Sequence, residues 1–259
     1  MTYQLLVATM HQSDTTLYQR MNLSSDAIIV NQCDRNCIEE LHIGQATVKF
    51  MSLQERGVGL SRNTALMRAT ADIVEFADDD MIFTDTYCED VLRTFAEHPE
   101  ADAIIFSVES LNPDRPLRKI KQFERISRWQ ALKYGCARLA IRREKLSYNS
   151  ISFSLLFGGG ARYGSGEDSL FLQECFKAGM KVYRSPIKVA DVRQDASSWF
   201  TGYNDKYYRD KGALFVALLP KVCRIYAFLT AIKYRKPLKE TIRILKLMCE
   251  GINEFKKRK

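Results

Sequence analysis

The chain has 259 residues, 46% of them hydrophobic and 27% charged, with thirteen Gly and six Pro. At this length roughly 70–75% of the unfolded surface can be buried, in one large domain or two small ones, and the balanced composition excludes disorder, collagen-like sequence and low complexity. Thirty-nine Lys and Arg against 31 Asp and Glu leave a net charge of +8, which attracts something anionic: nucleotide phosphate, nucleic acid or an acidic membrane face.

Residues 4–9 are the first apolar run and a predicted strand. No basic segment precedes them, and the run is too short for a signal peptide or a membrane span, so a cytoplasmic protein is expected. A helix is predicted over residues 13–21, strands over 27–31 and 48–52, a helix over 61–70 and a strand over 72–77. A helix over 86–97 with Asp85 as its cap and Pro99 beyond its end, then a strand over 103–108, complete the first part. Strand and helix alternate, which predicts an α/β fold with a mostly parallel sheet whose ligands gather at the carboxyl ends of the strands.

Residues 112–145 are basic, with Pro113 and Pro116 marking a loop. An apolar block at 151–157 runs into Gly158-Gly159-Gly160 and Gly164-Ser165-Gly166, followed by a helix over 167–178 and a strand over 181–185 before Pro186. The helix carries Leu170, Phe171, Cys175 and Phe176 on an apolar face and stops at Gly179. The apolar stretch 213–232 is interrupted by Pro220, Lys221 and Arg224, which argues against a spanning helix. From Lys233 a basic amphipathic helix bears Ile242, Leu245, Leu247, Met248, Ile252 and Phe255, suited to an interfacial membrane contact or to covering the core. Seven cysteines without a CxxC pair argue against a disulfide framework or a structural zinc site.

Asp78-Asp79-Asp80 is the sharpest local feature, placed between the apolar runs 73–77 and 81–83. Three adjacent carboxylates repel one another, and a divalent cation, Mg²⁺ or Mn²⁺, would neutralise them; otherwise they form a solvated acidic loop. In extended backbone Asp78 and Asp80 face the same side, so they could share a metal or divide metal and sugar hydroxyl between them. A second feature is the Gly-rich loop before Glu167-Asp168. The helix dipole keeps an acid in the first turn ionised, as a general base requires, although ordinary capping uses the same residues. His11, near the end of the first strand, is expected to be a surface or hydrogen-bonded residue rather than a nucleotide contact.

The strand Leu5-Leu6-Val7-Ala8-Thr9-Met10, the Asn31-Gln32-Cys33-Asp34 turn, the segment 57–66 (GVGLSRNTAL), the Asp78 to Asp80 cluster and Gly166-Glu167-Asp168-Ser169-Leu170-Phe171 together resemble the family 2 glycosyltransferases. The nearest likeness is to bacterial enzymes of capsule, exopolysaccharide or lipopolysaccharide synthesis, and it covers about residues 1–200. It implies the glycosyltransferase A fold, a Rossmann-like central sheet flanked by helices, with a catalytic domain over 1–211 (a nucleotide-binding half, 1–110, and an acceptor and catalytic half, 111–211) and a basic helical extension over 212–259. It also implies that Thr9, Asp34, Arg62, Asn63, Asp78 and Asp79 meet the nucleotide sugar, that Asp80 with Asp78 holds Mn²⁺ or Mg²⁺ on the diphosphate, and that Asp168, with Glu167 beside it, deprotonates the acceptor. Relatives often supply a His to the metal after the strand that follows the Glu-Asp helix. None stands here, so Asp191 or Asp195 would substitute, or the metal has one firm protein ligand.

Downstream, Ser197-Ser198-Trp199-Phe200 and residues 203–211 (YNDKYYRDK) read either as a loop closing over diphosphate and acceptor, with Arg209 or Lys211 on phosphate and Trp199 on a sugar face, or as aromatics packing a C-terminal lobe. The activity implied is inverting transfer of a sugar from a UDP-linked donor to a glycan, polyprenyl-diphosphate-linked at the inner membrane face, with peripheral contact through the basic C-terminal helix. Two rivals are a sugar nucleotidyltransferase, which usually has a Gly-rich phosphate loop after the first strand where this chain has none, and a basic nucleic-acid-binding protein, for which no motif is visible.

Overall fold

In the computed structural model, which describes residues 1–194, 202–234 and 236–257, the first apolar run forms β1 (Tyr3–Met10), and a single helical turn, α1 (Leu17–Arg20), follows. The predicted helix over 13–21 is cut short because the Asp14 carboxylate accepts from the Thr16 backbone N–H (2.9 Å) and hydroxyl (2.6 Å), a local turn that competes with helix initiation. Next come β2 (Ala27–Gln32), β3 (Cys37–Ile43) and β4 (Ala46–Leu53). The exposed, polar β3 gave no apolar signal; it folds back on β4 through a two-residue turn at Gly44, whose φ is +61°. α2 (Val58–Leu66) starts three residues before its predicted position. It is followed by β5 (Ile73–Asp78), β6 (Met81–Phe83), α3 (Tyr87–Glu97) and β7 (Ala103–Ser110). The basic middle contributes β8 (Glu124–Arg125), α4 (Arg128–Ala131), β9 (Leu139–Arg142) and α5 (Arg143–Tyr148), and beyond the glycines come α6 (Glu167–Lys177) and β10 (Val182–Val192). β10 does not stop at Pro186 as predicted. Its register against β7 shifts between Arg184 and Lys188, so the proline's missing N–H falls in an irregularity rather than in the ladder.

The sheet order is β3-β4-β2-β1-β5-β9-β7-β10-β6, with β8 also on β10. β4, β2, β1, β5, β7 and β10 run in one direction, and β9 is inserted antiparallel between β5 and β7. β2 is buried along its whole length, as expected where helices cover both faces of a parallel sheet. One layer of the core joins Leu5, Val7, Ile29 and Phe50 to Leu17, Tyr87 and Phe95 of α1 and α3; the other joins Leu6, Val30 and Phe76 to Ala65 of α2 and Phe171 and Leu172 of α6. This sandwich fixes the carboxyl ends of β1, β2 and β5 side by side.

Glu75 lies within the first layer, fully buried: its Oε2 accepts from the Tyr3 hydroxyl at 2.7 Å, and its Oε1 has no partner among the described residues. Burial pushes this carboxyl up to about 7, against a small opposing effect of the Tyr3 bond. The folded state therefore holds the proton more tightly than the unfolded chain, and stability falls as pH rises from the ordinary carboxylate range through 7. Glu75→Gln keeps an acceptor for Tyr3 and cannot ionise. Its stabilisation is expected to be larger at pH 8 than at pH 5 by about 2 kcal/mol. Urea melts at both pH values check this, and a gain independent of pH would assign the effect to packing instead.

α7 (Asp205–Leu218), α8 (Cys223–Lys233) and α9 (Leu238–Lys256) form a separate apolar cluster that takes in Phe157 and Tyr163 from the Gly-rich segment. Residues 205–211 are thus the first turns of α7 rather than a loop, capped by the Asn204 side chain on the Tyr207 N–H (2.9 Å), and the predicted boundary at 211/212 falls inside that helix. α7 and α9 cross at Gly212 and Gly251. A Cβ on Gly212 would stand 2.0 Å from the Met248 carbonyl oxygen, and one on Gly251 would stand 1.9 Å from that of Arg209, so only backbone fits at the crossing. The apolar face of the C-terminal helix is spent here: Ile244, Leu247, Met248, Ile252 and Phe255 are buried against α7 and its surroundings.

Candidate active site

β5 ends at Asp78, and Asp79 and Asp80 turn the chain into β6. The Arg193 N–H donates to the Asp80 carbonyl oxygen (3.0 Å) and the Gln194 N–H to its carboxylate, strapping the turn to the end of β10. The three carboxylates diverge. Asp78 reaches Arg62 on α2, Asp79 accepts from the Thr9 hydroxyl at the end of β1, and Asp80 borders a cleft of about 240 Å³ lined also by Asp78, Val108, Arg138, Val192 and Gln194. Asp78 and Asp80 thus share a side, and Asp79 turns away from it toward β1.

Arg62 is the strut of the site. Only 2% of the residue is exposed; Nη2 donates to Asp78 Oδ1 at 2.8 Å and Nη1 to Asp168 Oδ1 at 2.6 Å, with Glu167 Oε1 at 3.9 Å and the Phe153 ring centroid 5.2 Å from the guanidinium. Burial works against this charge, and Asp168 and then Asp78 outweigh it, holding the guanidinium protonated above its usual range. Asp168 sits in the first turn of α6, and a Cβ on Gly135 would lie 3.0 Å from its Oδ2; Gly135 itself lines the cleft. The second carboxylate oxygen of Asp168 therefore faces the cleft wall while the first is held by Arg62. Burial, and after it Asp168, raises the Glu167 carboxyl above the usual carboxylate range.

Burial, with Asp78 and Asp79 adding to it, pushes the Asp80 carboxyl up to about 6, so the turn favours a cation beside it. Among the described residues no three His, Cys, Asp or Glu are grouped to cage a metal. With Asp78 committed to Arg62 and Asp79 to Thr9, Asp80 is the carboxylate that fits a divalent ion. One protein carboxylate completed by substrate phosphates and water is an ordinary arrangement for Mg²⁺.

The remaining residues predicted for the site fall in several places. Thr9 is buried in a polar net in which Gln12 donates to its hydroxyl (2.9 Å) and Asn31 ties Gln12 to Ser52. Asp34 is exposed just beyond the end of β2. Asn63 clasps the Phe153 backbone in both directions (2.9 and 2.8 Å), a structural role away from the cleft. Arg62, expected at the nucleotide sugar, bonds to the carboxylates of Asp78 and Asp168. Asp191, expected at the metal, is held by Lys188 (2.8 Å), while its neighbour Val192 is the residue that lines the cleft. Arg209 pairs with Glu250 (3.1 Å) and Lys211 lies 5.7 Å from the Tyr207 ring centroid, so both stand in α7 with partners inside the C-terminal helices rather than in a loop. Asp195 and Trp199 lie outside the described residues. His11 is exposed, 3.0 Å from Arg56. Gln12, Gly135 and Arg138 carried no sequence signal, because each becomes part of the site only through neighbours distant in the chain.

Residues 24–158, just over half the chain, match the family model described as glycosyl transferase family 2. The chain belongs to that family. As a family 2 glycosyltransferase it has the glycosyltransferase A fold: it is similar to the crystal structure of Staphylococcus aureus TarS 1-349 in complex with UDP-GlcNAc, at 15% identity and a TM-score of 0.68 over 97% of this chain and 81% of that one. The same region of TarS in complex with UDP is similar at 12% identity and a TM-score of 0.64, over 100% and 92% of the two chains. No curated protein sequence matches this family 2 glycosyltransferase.

Proposed function

We propose that this glycosyltransferase moves a sugar from a UDP-linked donor to a hydroxyl of a glycan acceptor with inversion at the anomeric carbon. The observation that carries the reading is Arg62, which joins Asp78 and Asp168 across 90 residues of sequence into one constellation beside the cleft that Asp80 borders. Asp168 takes the acceptor proton on Oδ2 as the acceptor oxygen bonds to the anomeric carbon and the bond from that carbon to the diphosphate oxygen breaks. A divalent cation, Mn²⁺ or Mg²⁺, supplies stabilisation of charge on the departing diphosphate when bound. Asp80 would hold it, Asp79 and Thr9 face the nucleotide side, and Asp34 lies in reach of base or ribose. The solved TarS complexes with UDP-GlcNAc and UDP support the choice of donor nucleotide. A thermal-shift panel of nucleotide sugars with and without Mn²⁺ tests the reading: one UDP-sugar is expected to raise the melting temperature only with metal, and Asp80→Ala to lose that shift. Metal-independent donor affinity in calorimetry, unchanged by Asp80→Ala, would overturn the metal role, and no response to any nucleotide sugar would overturn the reading itself.

The acceptor in this reading is lipid-linked, in bacterial surface polysaccharide synthesis at the cytoplasmic membrane face. No helix among the described residues is long and apolar enough to cross a membrane. The membrane contact predicted for the C-terminal helix moves to α8, whose Ile225, Phe228, Leu229 and Ile232 are each at least 50% exposed on one helical face, with Leu238 and Ile242 near the start of α9 also exposed. Residues 221–246 carry eight Lys or Arg and one acid, a net +7 of the chain's +8. An apolar stripe within such charge suits an anionic bilayer. Co-sedimentation with vesicles containing phosphatidylglycerol is expected, with loss in 0.5 M salt and in Phe228→Glu. Binding equal to neutral phosphatidylcholine vesicles, or dimerisation abolished by Phe228→Glu, would assign the face to another occupant.

A further inference from the structure

Arg138 immediately precedes β9 and lines the cleft with Asp78 and Asp80. It is 94% buried by its 6% exposure, its Nη1 has no hydrogen-bond partner, and among the described residues no carboxylate pairs with it. Its guanidinium lies 5.2 Å from the Tyr134 ring centroid, and Tyr134 in turn accepts from Arg184 (2.7 Å), which is already neutralised by Glu124. The backbone at Arg138 is held at φ +154°, a conformation that L side chains rarely adopt, through the Arg138 N–H on the Cys136 carbonyl (2.8 Å) and the Phe106 N–H on the Arg138 carbonyl (3.0 Å). Burying a cation without a carboxylate partner costs stability, and no ion pair among the described residues offsets that cost at Arg138.

The segment also fixes where this cation stands. Gly135, three residues earlier, abuts Asp168 and lines the same cleft. The cleft lies on the β9, β7 and β10 side of β5, with Asp80 on its border, whereas the proposed function assigns base and ribose to the β1 and β2 side. We propose that Arg138 forms an oxyanion subsite for the acceptor, binding a phosphate or carboxylate carried by the molecule whose hydroxyl faces Asp168. The proposal rests on the glycosyltransferase reading for the word acceptor, but the subsite is testable without turnover. A guanidinium beside an aromatic ring, with no carboxylate partner among the described residues, donates to such a group, and the bound anion restores its charge balance.

The probes are methyl glucoside 6-phosphate and glucuronate against their neutral parents, methyl glucoside and glucose, with Kd values from ligand-observed NMR. The whole chain is expected to bind the phosphorylated and carboxylated sugars at least tenfold more tightly than the neutral ones, the stronger class naming the acceptor anion. Arg138→Gln is expected to reduce that preference below threefold while the Kd for the UDP-sugar with Mn²⁺ rises by a smaller factor than the Kd for the anionic sugars. Arg138→Gly, which adopts the observed φ without strain, is expected to fold and to lose the preference equally. Equal affinity of the unsubstituted chain for charged and neutral sugars overturns the proposal whether or not either variant folds. Loss of donor affinity in Arg138→Gln to the same extent as anion affinity would place the donor diphosphate on Arg138 and also overturn it. Failure of every nucleotide sugar to bind, with the anion preference intact, would remove the glycosyltransferase reading and leave the oxyanion subsite standing.

Discussion

Asp168→Asn is expected to lower kcat by about 10²–10⁴-fold with donor affinity unchanged, the range for loss of a positioned general base. The substitution isolates the proton. An amide oxygen at Oδ1 still accepts from Arg62 Nη1, so the strut to Asp78 remains and the cleft keeps its shape, whereas an amide nitrogen at Oδ2 has no lone pair with which to take the acceptor proton. Steady-state kinetics paired with calorimetric donor Kd separates this from a folding defect. Near-normal turnover would move the base to Glu167, the adjacent buried carboxyl that burial and Asp168 push upward.

Arg62→Ala is expected to be the most destabilising single change at the site, costing about 3–5 kcal/mol, because it leaves carboxylates without their shared counter-ion. Asp78, Asp168 and Glu167 all lie within 4.0 Å of the guanidinium, and its 2% exposure gives water no route to replace it. Arg62→Lys restores the charge but not the fork, so one ammonium cannot hold Asp78 and Asp168 at once. It is expected to recover part of the stability and little of the turnover. Urea unfolding gives the first quantity and kcat the second. Removing one repelling carboxylate in Arg62→Ala/Asp78→Asn is expected to be less destabilising than Arg62→Ala with Asp78 intact. If the double variant is the weaker of the two, the strut is a packing element rather than an electrostatic one.

The strands that carry the site were legible because they are largely buried and so read as mainly apolar runs: β1, β2, β4, β5 and β7 all lie where such runs occur. β3 and β9 were not. β3 is an exposed edge whose residues need no apolar period, and β9 is four residues long, too short to show one. The acidic motifs were visible as motifs because three adjacent carboxylates and an acid pair behind glycines are uncommon local patterns. Arg209 and Lys211 stand in a basic, aromatic stretch that read either as a phosphate-binding loop or as packing of a C-terminal lobe; its tyrosines at helical spacing pack α7 against α8 and α9, and those cations find partners within the bundle.

The sequence by itself determined the alternation of elements, the family and the two acidic motifs, since these depend on local period and on residues adjacent in the chain. Only the tertiary structure decided that Arg62 joins Asp78 to Asp168, that Asp191 is taken by Lys188, that the exposed apolar face belongs to α8, and that Arg138 lines the cleft without a carboxylate partner among the described residues. Each of these is a question of which charge or face finds a partner. Partners here lie tens of residues apart, and their pairing is set by strand order and helix crossing, which no local pattern encodes.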